Sequence, residues 1–288
     1  MHQEPILAVI GGSGLYNFKD LEQITTIEVD TPFGKPSSPI TIGKIAGKTV
    51  AFLARHGIGH VLPPNKVPYR ANIYALKTLG VKRIVSVSAC GSLREAYSPG
   101  TIIIPQQIFD FTHDRARSFF GEGLVVHLST AEPFCNSLSD ILEHGVKETG
   151  AKYHRGGIYI TIEGPRFSTK GESQLYRQWG MDIIGMTASP EVFLAKEAEI
   201  CYTTMAHVTD YDVWHTDEAP VTVEMVVQTL MKNIEVAQNA IVKMVESIDP
   251  SYSCACENAL KDALLTDPYY IDPAKRAEVK LLIQKYLQ

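Results

Sequence analysis

The chain of 288 residues is 45% hydrophobic, enough to bury a large core, and no linker-like or repetitive tract divides it. Its 27 basic and 32 acidic residues give a net charge of -5 without a basic cluster, which argues against nucleic acid and anionic membranes as partners. No apolar run reaches the roughly 18 residues that a membrane span needs, and the first residues lack the basic segment of a secretion signal. We therefore expect one cytoplasmic domain over residues 1–288.

Short apolar runs alternate with amphipathic segments, a pattern that predicts an α/β fold in which helices flank a central mixed, mainly parallel sheet. The predicted strands cover residues 6–10, 49–54, 83–88, 101–104, 158–162 and 202–208. Helices are predicted between residues 65 and 80, from the Thr169 and Glu172 capping box to Gly180, from Ser189 with Pro190 in its first turn, from Thr222 to Met244, and over 277–287. Residues 250–288 are expected to form a C-terminal helical extension carrying Cys254 and Cys256.

Two aspartates, Asp210 and Asp212, come directly after the apolar strand predicted over 202–208. In an open parallel sheet, ligands bind beyond the carboxyl ends of the strands, so this pair is placed to contact a ligand. Two carboxylates in one site also shift each other's pKa, and one of them can act as an acid near neutral pH. Asp is also common in turns and at helix N-caps, and the pair alone does not decide between these interpretations.

Three loops after predicted strands offer donors to an anion. The first is the Gly-Gly-Ser-Gly segment with Ser13, which fails as a dinucleotide motif because Asn17 replaces its third glycine. The second contains Arg55 and His56, and the third is a turn that begins at Ser88. Each loop on its own could be a ligand-free turn or a solvated surface, but together they favour a phosphate-sized anion.

Two further loops and the cysteines leave alternatives open. Phe167 and Ser168 could stack on and read a flat base, or could serve as a core anchor and a helix cap. Met186 could cover a sugar face or fill a packing gap. Cys254 and Cys256 are too closely spaced and too isolated for a four-ligand zinc site unless other chains contribute, and the nine histidines show no metal-binding spacing. We therefore expect no metal.

Seven segments follow one another along the chain: Gly-Gly-Ser-Gly at 11, Phe-Leu-Ala-Arg-His-Gly at 52, Ser-Ala-Cys-Gly-Ser-Leu-Arg-Glu at 88, Ala-Glu-Pro-Phe-Cys at 131, Thr-Ile-Glu-Gly-Pro-Arg-Phe-Ser at 161, Gly-Met-Thr-Ala-Ser-Pro-Glu at 185 and Thr-Asp-Tyr-Asp at 209. Together and in this order, they resemble the methylthioadenosine phosphorylases of the trimeric purine nucleoside phosphorylase superfamily. The resemblance implies a nucleoside phosphorylase-like fold and phosphorolysis of 5′-methylthioadenosine to adenine and 5-methylthioribose 1-phosphate. It also implies a homotrimer or a dimer of trimers and no cofactor, since inorganic phosphate is the second substrate.

The resemblance further implies a role for each matching residue. Phosphate would be held by Ser13, Arg55, His56, Ser88, the amide of Ala89 and Thr187. Met186 would contact the ribose, Phe167 and Ser168 would border the adenine, and the catalytic pair Asp210 and Asp212 would meet its N7 and 6-amino edge. The methylthio pocket would consist of His60, Val223, Val227 and a neighbouring subunit's copy of His127.

Two other functions remain open at this point. Phosphorylases for 6-oxopurine nucleosides, including methylthioinosine, share the phosphate loops but generally carry asparagine where this chain has Asp210. A nucleoside-binding protein without catalysis would keep the base pocket but lose the anion site, and the presence of Arg55, His56 and Thr187 argues against it.

Overall fold

The computed structural model describes residues 3–12, 18, 20–215 and 222–287. In these residues, eleven strands join in one mixed sheet whose main path runs β2-β3-β4-β1-β5-β10-β9-β7, with β11, β6 and β8 branching from β5. The strands are β1 (Leu7–Gly11), β2 (Glu22–Ile27), β3 (Ile40–Ile45), β4 (Lys48–Ala54), β5 (Arg83–Ser92), β6 (Ile102–Ile104), β7 (Gln107–Phe111), β8 (Tyr153–Arg155), β9 (Ile158–Ile162), β10 (Ile183–Gly185) and β11 (Cys201–Asp210). Six of the ten strand pairings are parallel, which confirms the predicted mixed, mainly parallel sheet.

The described helices pack on both faces of the sheet. They are α1 (Tyr69–Thr78), α2 (Asn136–Glu148), α3 (Lys170–Gln178), α4 (Ala188–Glu197), α5 (Val223–Ser247), α6 (Pro273–Glu278) and α7 (Lys280–Ile283). Thr169 and Glu172 form the predicted capping box of α3, and the side chain of Thr222 caps α5. No helix among the described residues combines the length and apolar character that a membrane span requires.

Strand β1 shows how the two layers of core arise from alternating side chains. Ala8 and Ile10 pack in one buried cluster with residues of α1 and α4, whereas Leu7 and Val9 pack in another with residues of α2 and α5. Because both faces are covered, every residue of β1 and of β11 is buried. Such strands are read from sequence as continuous apolar runs, which is why the central strands were predictable.

Strand β5 differs from its prediction. The sequence placed its end at Ser88 and a turn after it, but the strand continues to Ser92. It pairs in parallel with β1 and β11 and then, at Gly91 and Ser92, in antiparallel fashion with β10. The predicted turn is therefore wrong, because this segment finds backbone partners in β10.

The C-terminal residues also differ from their prediction. A single helix over 277–287 was expected, but α6 ends at Glu278, α7 covers only Lys280–Ile283, and a short 3₁₀ turn follows. The apolar periodicity is nevertheless used for packing, since Leu260, Val279 and Ile283 are fully buried in the cluster that contains α1 and α4. Burial of each such side chain stabilises the fold by roughly 1.5–3 kcal/mol.

Candidate active site

A cavity of about 750 Å³ lies at the edge of the sheet where the parallel strands β1, β4, β5 and β11 end. This volume is typical of small-molecule sites. The structure brings most of the predicted site residues together on its wall: Arg55, His56, His60, Ser88, Ala89, Phe167, Ser168, Met186, Thr187, Asp210, Asp212, Val223 and Val227. His127 is exposed and does not line the cavity, and Ser13 lies outside the described residues.

The guanidinium group of Arg55 is the centre of the predicted anion site, and it is 1% exposed. Its Nε and Nη2 form a bidentate ion pair with Glu191 at 2.8 and 2.9 Å, Nη2 also donates to Ser86 Oγ at 2.7 Å, and Nη1 donates to the carbonyl of Val87 at 3.2 Å. Glu191 therefore occupies the bidentate fork of Arg55, which is not free to bind an anion in the same way. Since Nη1 carries two hydrogens and one is used by Val87, a second remains for a ligand in the cavity.

Burial alone would lower the pKa of Arg55, but the charge of Glu191 and the hydrogen bonds between the two groups raise it above its ordinary value. Glu191 is itself fully buried and also accepts a hydrogen bond from Tyr202 Oη at 2.8 Å. The pair is thus a buried, hydrogen-bonded unit, and removal of one partner would leave an uncompensated charge in the core.

His56 lies next to Arg55 and is held in a defined orientation. Its Nδ1 is 2.9 Å from the carbonyl oxygen of Leu62, so Nδ1 carries the hydrogen and Nε2 is left with a lone pair or a second proton. Burial, followed by the positive charge of Arg55, lowers the pKa of His56 to about 4. Its ring stacks on that of His60 with centroids 4.3 Å apart. The neutral imidazole can accept a hydrogen bond from a protonated phosphate oxygen or take up a proton when a dianion binds.

One end of the cavity is formed by the two aspartates at the end of β11. Oδ1 of Asp210 accepts a hydrogen bond from the amide of Asp212 at 2.8 Å, and Oδ2 accepts one from Thr209 Oγ1 at 2.7 Å. The β11 register shifts between Val208 and Asp210, and the φ of Asp212 is 53°, so the chain turns the second carboxyl group toward the cavity. Burial, with the negative charge of Asp210 added to it, raises the pKa of Asp212 to about 6.

Gly91 is required where β5 passes this carboxyl pair. A Cβ at Gly91 would lie 2.9 Å from Oδ1 of Asp210, closer than real Cβ contacts. Any larger residue at this position would displace the Asp210 side chain.

Several buried polar atoms of residues that line the cavity make no hydrogen bond within the described part of the chain. They include Oδ2 of Asp212, Oγ of Ser168 and both ring nitrogens of His207. A buried polar group without a hydrogen bond costs about 1–3 kcal/mol. A polar ligand that supplied partners would recover this free energy.

The apolar wall of the cavity comes from the first turns of α5. Val223, Val227 and Met231 line it and are 67%, 49% and 59% exposed. Exposed apolar side chains at helical spacing on an open wall are typical of a surface that a ligand or another subunit covers.

Sequence reasoning missed three residues that build the site. Glu191 received no role in the sequence analysis, and His207 was read only as part of a buried strand. Arg115 received no interpretation, yet its Nη1 donates to the carbonyl groups of Met186 and Ser189 at 2.7 Å each and its Nε lies 3.3 Å from Glu163 Oε1. A buried strand histidine was a usable signal, whereas the partners of Arg115 and Glu191 are distant in sequence and leave no local pattern.

Comparisons with known proteins identify the family of this chain. The model of the phosphorylase superfamily matches residues 6–246. The chain is 50% identical to an S-methyl-5'-thioadenosine phosphorylase of Gloeobacter violaceus over 97% of this chain and 95% of the relative, and 46% identical to one of Koribacter versatilis over 97% and 96%.

Solved structures of similar proteins share the fold of this chain. A methylthioadenosine phosphorylase from an antarctic soil metagenomic library has a TM-score of 0.92 and 45% identity, covering 97% of this chain and 99% of that chain. A mutant adenosine/methylthioadenosine phosphorylase of Schistosoma mansoni, in complex with methylthioadenosine, has a TM-score of 0.84 and 34% identity, covering 89% of this chain and 96% of that chain.

Proposed function

This chain belongs to the phosphorylase superfamily, and on that premise we propose that it cleaves 5′-methylthioadenosine with phosphate to give adenine and 5-methylthioribose 1-phosphate. It is an enzyme of the pentosyltransferase type. The observation that carries the proposal is one cavity with an arginine and histidine at one end and two carboxyl groups at the other. A nucleoside and an anion can be held there at the same time.

The phosphate end consists of Arg55, His56, Ser88, the Ala89 amide and Thr187, with Ser13 added from outside the described residues. Glu191 fixes the guanidinium group, so the side chain loses little further conformational entropy when phosphate binds. Its remaining Nη1 hydrogen and the hydroxyl groups of Ser88 and Thr187 supply donors. These groups place the anion on the face of the ribose opposite the base.

The base end would stabilise the leaving purine. Cleavage of the C1′–N9 bond puts positive charge on the ribose and negative charge on the purine, so donors that face the purine bind the transition state more tightly than the substrate. Asp210 and Asp212 meet N7 and the 6-amino group, one donating a proton to N7 and the other accepting from the amino group. Because the pKa of Asp212 is raised to about 6, we treat the two carboxyl groups as one unit that shares a proton.

The remaining parts of the substrate have matching surfaces. Phe167 and Ser168 border the base, Met186 contacts the ribose, and His60, Val223 and Val227 surround the methylthio group. The wall formed by α5 is open, which supports a homo-oligomer, a trimer or a dimer of trimers, in which His127 of a neighbouring subunit closes the pocket. We further propose that residues 1–288 form one phosphorylase domain with 250–288 as its extension, since Leu260 and Val279 share a core cluster with α1 and α4.

We propose that catalysis needs no metal or organic cofactor, because phosphate is the nucleophile and the carboxyl pair supplies the acid. A cytoplasmic location is supported by five cysteines that all remain free thiols, as expected in a reducing compartment.

The experiment that tests this function is a steady-state comparison of methylthioadenosine, methylthioinosine, adenosine and inosine, with and without phosphate. We expect the highest kcat/KM with methylthioadenosine and no release of base without phosphate. A preference for methylthioinosine would favour the 6-oxopurine function, and binding of nucleoside without phosphate-dependent release of base would favour a non-catalytic binding protein.

A further inference from the structure

Four cysteines from distant parts of the chain form a cluster that the proposed reaction does not use. Cys135 directly precedes α2 and Cys201 begins β11. Cys254 directly precedes a 3₁₀ turn after α5, and Cys256 lies within that turn. Their sulfur atoms all lie within 4.8 Å of one another. The sequence argument against a four-ligand site assumed that Cys254 and Cys256 would have to be completed by other chains, but the same chain supplies two further thiols.

The spacing of the sulfur atoms fits one tetrahedral ion. Four thiolates at about 2.3 Å from zinc have sulfur atoms roughly 3.8 Å apart. The Sγ atoms of Cys135 and Cys254 are 3.6 Å apart, and no pair in the cluster exceeds 4.8 Å. All four are free thiols, and the 3.6 Å separation is far longer than the roughly 2.05 Å of a disulfide bond. A polynuclear iron–sulfur cluster would need sulfur atoms farther apart, because each thiolate would bind a different iron.

The backbone around the cluster is fixed before any ion binds. The amide of Cys135 donates to the carbonyl of Tyr202 at 2.8 Å, and the amide of Cys254 donates to Glu257 Oε1 at 3.2 Å. The first turn of α2 follows Cys135, and a helix amino end favours a thiolate over a thiol. The sulfur atoms of Cys201 and Cys256 lie within 4.8 Å of the sulfur atom of Cys135.

We propose that Cys135, Cys201, Cys254 and Cys256 bind one structural zinc ion per chain. Each thiol loses its proton to solvent as its sulfur–zinc bond forms. The ion would join α2, β11 and the C-terminal extension, and thereby hold residues after α5 against the sheet. It lies at the opposite end of β11 from Asp210, about 30 Å away for ten strand residues, so it takes no part in phosphorolysis.

The first test uses the reduced wild-type protein. Metal analysis and native mass spectrometry are expected to show one zinc per chain after purification or after addition of zinc chloride. Replacement with cobalt(II) is expected to give thiolate-to-cobalt charge-transfer bands and the intense visible bands of tetrahedral coordination. Absence of both zinc and the cobalt spectrum in fully reduced protein would overturn the proposal, as would disulfide bonds among these cysteines in protein isolated under reducing conditions.

Variants then assign the ligands. Cys254→Ser and Cys256→Ser are each expected to weaken zinc affinity at least about tenfold. They should also make the C-terminal extension more susceptible to limited proteolysis. Cys90→Ser is the matched control, because this buried thiol lies outside the cluster, and it should retain one zinc per chain. Full zinc content in Cys254→Ser would overturn the assignment. If a variant does not fold, the cobalt titration of the wild-type protein still shows whether the four thiols bind a metal ion.

Discussion

The two ends of the cavity differ in how completely the protein bonds its own polar groups. At the phosphate end, the guanidinium group of Arg55 donates to Glu191, Ser86 and Val87. At the proposed base end, Oδ2 of Asp212 and Oγ of Ser168 are buried without hydrogen bonds in the described residues. The phosphate end is therefore part of the folded core, whereas the base end holds polar groups ready for a ligand.

The largest effect on this difference between the two ends is expected from a substitution of Arg55. Arg55→Ala leaves Glu191 as an uncompensated buried charge and should lower the free energy of unfolding by about 3–5 kcal/mol. It should also raise the KM for phosphate far more than the KM for nucleoside, because the proposed function assigns its remaining Nη1 hydrogen to the anion. Chemical denaturation and phosphate-dependent kinetics measure the two effects.

Arg94→Ala is the matched control for that variant. Arg94 pairs with Asp182 at 2.7 Å, but its side chain is 47% exposed, so its removal should change stability by about 1 kcal/mol at most. Equal losses in the two variants would show that the Arg55 pair does not belong to the core. An Arg55→Ala protein that lost stability while keeping its phosphate KM would restrict Arg55 to a folding role.

At the base end, Asp210→Asn should change specificity rather than stability. The amide reverses the donor and acceptor pattern toward the purine edge and should shift the preference from methylthioadenosine toward methylthioinosine by about 2 kcal/mol, roughly thirtyfold in the ratio of kcat/KM values. Steady-state kinetics with both nucleosides measure this ratio. An unchanged ratio would contradict the assignment of Asp210 to the 6-amino edge.

The pH dependence of activity tests whether Asp212 supplies the proton at the base end. Burial raises the pKa of Asp212 to about 6, so its protonated form predominates below pH 6 and is lost as the pH rises through that value. If this proton is donated to the purine, kcat/KM for nucleoside should fall by up to about tenfold per pH unit above pH 6. The profile is measured at saturating phosphate. Asp212→Asn should remove this limb, and a limb that survives in the variant would belong to another group.

The smallest effect is expected at the open wall. His127→Ala should weaken the binding of methylthioadenosine by about 1 kcal/mol relative to the binding of 5′-deoxyadenosine. The reason is that only methylthioadenosine has a methylthio group to contact the partner subunit. The control is His144→Ala, which replaces an exposed histidine on α2 and should change the binding of neither nucleoside. Sedimentation should show an oligomer at assay concentration, and a fully active monomer would contradict the shared pocket.

Local patterns were enough for the elements that carry the site. Strands β1, β4 and β11 are buried on both faces, so each appears in the sequence as an uninterrupted run of mostly apolar residues. The capping box at Thr169 is also local and was confirmed. Because parallel strands end at one edge, the clustering of Arg55 with Asp210 followed from the fold.

Features that depend on distant partners could not be read in the same way. The continuation of β5 to Ser92 needs β10, and the Arg55 contacts need Glu191, which lies 136 residues away. Cys135 and Cys254, separated by 119 residues, come together only after α2 and α5 have packed. The assignments to phosphate, base and methylthio group remain predictions, because they concern contacts with ligands and with a second subunit.

Product analysis tests the central claim most directly. Methylthioadenosine is incubated with the enzyme and phosphate, and phosphorus and proton NMR follow the products. The account predicts one phosphate consumed per adenine released and 5-methylthioribose 1-phosphate as the α anomer only, because phosphate attacks the face opposite the base. Free methylthioribose, a β anomer, or release of adenine without phosphate would contradict it.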